Sequence, residues 1–120
     1  MGYKEERVKV LHVADSYFAN PRRVEVRDRD EWKLVEGYIV EVDFLLGWGF
    51  RKIPRPVFVD LISSWPLYER EDNRWARRYT YVFRPPHKIA AWLFYKKMKF
   101  REAKDDHYHW VFTEHGGYYK

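Results

Sequence analysis

Three groups of residues in this chain have the types and spacing to do chemistry. The first is the run Arg77–Arg84, RRYTYVFR. Side chains alternate across a strand, so Arg77, Tyr79, Tyr81 and Phe83 share one face, and Arg78, Thr80, Val82 and Arg84 share the other. A ladder of rings flanked by guanidinium groups can stack unpaired bases and hold their phosphates. The second group follows at once. Lys96, Lys97, Lys99, Arg101 and Lys104 crowd the end of the run His87–Lys104. Such cations stabilise the negative end of a helix, and they also offer contacts to phosphate. The third group is His107, His109 and His115, the first two separated by one residue as in HYH. In a strand that pair points to one side, which suits a divalent metal.

Two of these patterns resemble known families over a few residues. The order Arg77, Tyr79, Tyr81, Val82 resembles the RNP motif of RNA-recognition domains, a basic residue followed by alternating aromatics and an aliphatic. Arg78, Thr80 and Arg84 depart from it. The resemblance implies bases stacked on the strand. His107-Tyr108-His109 resembles the metal-binding His pair of HUH endonucleases, which cleave single-stranded DNA with a tyrosine. It implies a divalent metal, but only Tyr118 and Tyr119 follow the pair, with no room for the helix that carries the nucleophile. His107, His109 and Glu114 are also similar to the first metal motif of cupins, without its glycine pattern or its second motif. A further set, Glu102 and Lys104 with Asp60 or Asp43, has the composition of a nuclease carboxylate–lysine site. Serine-hydrolase, kinase, P-loop and zinc-deaminase signatures are absent from the sequence.

Strands, loops and helices alternate around these groups. Arg7–Val13 alternates as a strand, and Ala14–Arg23 reads as a loop. Val24–Arg27 reads as a short strand. The spacing of Asp28–Glu36 predicts a short helix, capped by Asp28 or Asp30 and ended by Gly37. Tyr38–Leu46 and Val57–Ile62 are rich in β-branched and aromatic residues and predict strands. Arg51–Pro56 is proline-broken, and Ser63–Arg74 reads as irregular. Arg77–Arg84 is a strand, stopped by Pro85-Pro86. His87–Lys104 is the strongest helix, with Ile89, Trp92, Leu93 and Phe100 on one side and Ala91, Phe94, Tyr95 and Met98 opposite. Being apolar nearly all round its first half, it must be buried on two sides or meet a partner. Tyr108–Thr113 predicts a last strand. The fold expected is α+β: an antiparallel sheet of four to six strands with one main helix near 87–104 and one short helix near 28–36. That order is compatible with a ferredoxin-like sheet.

Composition bounds the rest. The chain's 120 residues suit one domain. Cysteine is absent, which removes disulfides and thiol chemistry. Neither a leader nor a run of ~18–20 apolar residues is evident, so an intracellular or virion protein without a membrane partner is expected. Few thermolabile side chains and 34% charged residues fit a heat-adapted source, archaeal or viral. The net charge of +5 is uneven: residues 51–104 hold 14 Lys/Arg against 5 Asp/Glu. The expectation is a non-enzymatic binder of nucleic acid, single-stranded by preference and without a cofactor. Its contacts would be Arg77, Arg78, Tyr79, Tyr81, Phe83, Arg84, Lys96, Lys97 and Lys99. Two alternatives stay open: a metal-dependent HUH-like endonuclease using His107 and His109, and a structural or assembly protein that forms homo-oligomers.

Overall fold

The computed structural model describes residues 8–46, 53–69 and 75–105. Five strands are followed by one helix: β1 (Lys9–Val13), β2 (Arg22–Asp28), β3 (Glu31–Leu46), β4 (Val59–Glu69), β5 (Trp75–Phe83) and α1 (Lys88–Lys104). All the pairings are antiparallel. The main sheet has the order β1-β3-β5-β4, and β2 pairs with the first half of β3. The class is therefore α+β, as the sequence predicts. All five strands precede the helix, and no second helix is seen among the described residues. The predicted strand at Tyr108–Thr113 lies outside the described residues.

The short helix expected at 28–36 is instead a hairpin. Asp28 pairs with Glu31, so Arg29-Asp30 is a two-residue loop, and Arg29 takes a φ of 61°. Positive φ at such a loop matches the twist of the flanking strands. Cross-strand partners explain the outcome: Val24 opposite Val35 and Val26 opposite Lys33 place the hairpin's three valines on one face. There Val24, Val26 and Val35 pack with Ile39, Ile62 and Val82 on the back of the main sheet. An isolated helix of nine residues has no comparable burial to offset its nucleation cost. Gly37 ends no helix. It marks the point where β3 leaves β2 and joins β5, with Arg22 opposite Gly37 and Tyr38 opposite Phe83. Its φ is 155°, and a Cβ there would lie 2.5 Å from the carbonyl oxygen of Phe83.

The front of the sheet carries the core. Val40, Val42 and Phe44 of β3, and Tyr79, Tyr81 and Phe83 of β5, pack under Ala91, Phe94 and Met98 of α1. Val8, Val10 and Val13 join them. That spacing breaks strict alternation because the β1–β3 register shifts between Val10 and His12. The bulge returns Val13 to the front, while Leu11 lies at the back against Leu45 and Ala76 and His12 is exposed. β4 runs on to Glu69, where the sequence reads as irregular. Its register shifts around Pro66, a residue tolerated there because β4 is an edge strand.

The other edge, β1, is covered by the end of the helix. The Val10 amide donates to Asp105 Oδ2 at 2.9 Å, and Arg101 Nη2 donates to the Val8 carbonyl at 2.7 Å. Lys99 Nζ reaches the Val13 carbonyl at 3.5 Å. Backbone groups that would otherwise invite another strand are thereby satisfied. The start of the helix is fixed differently. Phe58, at a φ of 64°, stacks on His87 with ring centroids 3.8 Å apart, and the Arg84 amide donates to the Phe58 carbonyl. The Pro85-Pro86 peptide, which is cis, lies between β5 and α1.

Candidate functional site

The rings of β5 do not form a surface. Tyr81 is fully buried, Phe83 is 1% exposed and Tyr79 8%. Tyr81 and Phe83 lie against Phe94 of the helix, at centroid distances of 4.6 and 5.6 Å, and Tyr79 meets Phe44 edge-on at 5.7 Å. The Tyr81 hydroxyl donates to the Pro54 carbonyl at 3.0 Å. Burial, with a smaller contribution from Tyr79, pushes the Tyr81 phenol well above its ordinary value of 10.0. The expectation that Tyr79, Tyr81 and Phe83 stack bases is thus corrected. The face that alternation assigns to them is the one the helix covers, because a ladder of three rings is worth more buried than exposed.

The arginines around that strand are largely committed. Arg78 binds Asp43 through two hydrogen bonds, Nε to Oδ1 at 2.8 Å and Nη2 to Oδ2 at 3.1 Å. This bond to Asp43 holds the guanidinium pKa above its usual value, against the cost of burial. Arg77 is half-buried, with Nη1 3.4 Å from Ser63 Oγ. Arg84 is exposed and pairs with Asp60 at 3.6 Å. Lys99 is half-buried between Glu102, at 3.4 Å, and Asp15, at 4.0 Å. Lys96 and Lys97 are exposed. Of the nine residues expected to contact nucleic acid, only Arg84, Lys96 and Lys97 stand in solvent.

The set resembling a nuclease site does not converge. Asp43 holds Arg78, Asp60 holds Arg84, and Glu102 faces His12 and Lys99. No group of three or more metal-ligating side chains comes together among the described residues. His107, His109, Glu114 and His115 lie outside them, as do Tyr118 and Tyr119. A small cleft of about 140 Å³ is lined by Ala14, Arg22, Val24, Glu25, Val26, Ile39 and Glu41, with Glu25 and Glu41 as its acidic groups. Among the described residues no helix is long and apolar enough to cross a membrane.

What remains is the outer face of α1. The helix has two apolar stripes. Ala91, Phe94 and Met98 point into the core, and Tyr95 packs on Phe18 at 5.5 Å. On the far side Ile89 is 72% exposed, Trp92 46%, Leu93 55% and Phe100 65%. Lysines are interleaved with these residues. Lys96 Nζ lies 5.6 Å from the centre of the Trp92 ring, and Lys104 Nζ lies 5.5 Å from that of Phe100. The sequence identifies both stripes but leaves open which one the sheet takes. The signal for the outer face is in the helix itself: large apolar residues in the same sector as Lys96, Lys97 and Lys104.

A second, smaller patch lies on the β2–β3 hairpin. Trp32 is 63% exposed, and the guanidinium of Arg27, its cross-strand partner, sits 5.5 Å from the ring centre. Leu34 is exposed beside it, opposite Glu25. Acidic and basic residues alternate on this hairpin, so it carries no directional field of its own.

Together the fold and the site define a small α+β protein whose helix is anchored by one apolar stripe and displays a second, basic one. Comparison with family models, curated proteins and solved structures gives no match to this chain. The functional reading rests on the geometry.

Proposed function

We propose that this protein is a non-enzymatic binder of single-stranded nucleic acid, and that its contact surface is the outer face of α1. The observation that carries this reading is the pairing of exposed rings with ammonium groups: Trp92 with Lys96, and Phe100 with Lys104. Exposed apolar area of this kind marks an interaction surface. The charge selects the partner. Lys88, Lys96, Lys97 and Lys104 are all exposed on α1, so two copies of this face would repel one another, whereas a polyanion would be attracted. Exposed rings suit unpaired bases, and lysine suits phosphate. A helix lying on an anionic bilayer keeps its cations on the face opposite the apolar one. Here the two alternate within one sector, which favours a strand of bases and phosphates over a lipid surface.

The test is fluorescence anisotropy of a labelled single strand at rising salt, with the intact protein and its Trp92→Ala variant. Binding should be measurable at low salt and fall linearly in log–log form as salt increases. Trp92→Ala should weaken it by about 1–3 kcal/mol. An absence of binding at low salt, or indifference to Trp92→Ala, would overturn the reading. Tyr81→Ala is not a suitable probe, because it empties the core.

A further inference from the structure

The outer face of α1 has an internal order. Trp92, Lys96, Phe100 and Lys104 follow one another at intervals of four residues, so they form a single ridge along the helix. The ridge reads ring, cation, ring, cation. With a rise of about 1.5 Å per residue, the two rings stand roughly 12 Å apart along the axis, and Lys96 stands midway. A stacked strand advances only ~3.4 Å per nucleotide, so the two rings cannot take neighbouring bases of a stacked strand.

Resting on the reading of this face as a nucleic-acid surface, we propose that the ridge holds a single strand at two separated bases. One base lies on Trp92 and the other on Phe100. The phosphates between them pass Lys96, and the next phosphate beyond Phe100 meets Lys104. The strand then runs along the helix axis rather than across it. Its footprint is on the order of three to five nucleotides, the number that spans roughly 12 Å in unstacked or stacked form. Sequence preference should be weak, because every base offers a ring face and no base edge is read.

The experiment is a length series of oligothymidylates, from the dinucleotide upward, competing with a long labelled strand for the full chain at low salt. Affinity should rise steeply up to roughly five nucleotides and only shallowly beyond. In Phe100→Ala the steep part should disappear, and affinity for the long strand should fall roughly fivefold to a hundredfold. Both side chains are exposed, so the variant keeps its fold. A smooth rise with length, the same in the intact protein and Phe100→Ala, overturns the two-ring ridge while leaving α1 as the binding face. Failure to bind a strand of any length overturns both, as does tighter binding to vesicles of anionic lipid than to any strand.

Discussion

At the scale of single residues, the aromatics divide by what covers them. Tyr81 has no exposed surface, and its hydroxyl is satisfied by Pro54. Tyr81→Phe should lower stability by about 1 kcal/mol near neutral pH, since it leaves that carbonyl without its donor. The pH dependence has a definite sign. The folded phenol resists ionisation because burial disfavours the charged form. The unfolded phenol loses its proton near pH ~10, so above that point the unfolded state binds fewer protons and stability falls as pH rises. Tyr81→Phe lacks this linkage. The gap between the two proteins should therefore narrow above pH ~10 in urea titrations taken from neutral to alkaline pH. That β5 is a strand with two faces was legible from residues 77–84 alone. Which face meets solvent was not, because Tyr and Phe serve a core and a stacking surface equally well.

At the scale of elements, local pattern and tertiary packing disagree at two places. Residues 28–36 have acidic capping residues and a glycine stop, yet they form a hairpin because Val24, Val26 and Val35 find a sheet to cover. Gly37, read as a stop, is a corner. Gly37→Ala should cost more than about 1–3 kcal/mol, because the backbone is in a region that L residues avoid and the new Cβ meets the Phe83 carbonyl. A chemical-denaturation midpoint would show it, and a near-neutral result would mean that β3 turns differently. The helix end makes a second prediction. Asp105 accepts the Val10 amide in a buried bond, so Asp105→Ala should cost about 1–3 kcal/mol and raise hydrogen exchange at Val10. The helix boundaries themselves needed no tertiary information, since Pro85-Pro86 starts them and the basic last turns suit the negative helix end.

At the scale of the whole molecule, the excess of positive charge in residues 51–104 splits between structure and surface. Arg78, Arg101 and Lys99 are tied to a carboxylate or a backbone carbonyl within the fold. Lys96, Lys97 and Lys104 are displayed. Lys96→Ala should therefore leave thermal unfolding almost unchanged, within about 0.5 kcal/mol. It should also reduce the slope of log affinity against log salt by about 0.7, the contribution of one phosphate contact on a single strand. An unchanged slope would remove Lys96 from the contact surface. The hairpin patch at Trp32 and Arg27 predicts no such salt effect, as its charges balance.

The class of fold, the long helix and its two opposed stripes are legible in the residues alone, because alternation and helical periodicity follow from backbone geometry within a few turns. Where the positive charge is concentrated is legible there as well. That the rings of β5 face inward and the outer stripe of α1 faces out depends on how sheet and helix pack. A helix with two apolar sides can present either one to a sheet. The choice depends on which side chains fill the space above Tyr81 and Phe83, and Phe94 and Met98 fill it while Trp92 and Phe100 do not. Of the strand and helix end expected to make the contacts, the strand's rings are core, and Lys96 and Lys97 stand in solvent on the helix that covers them.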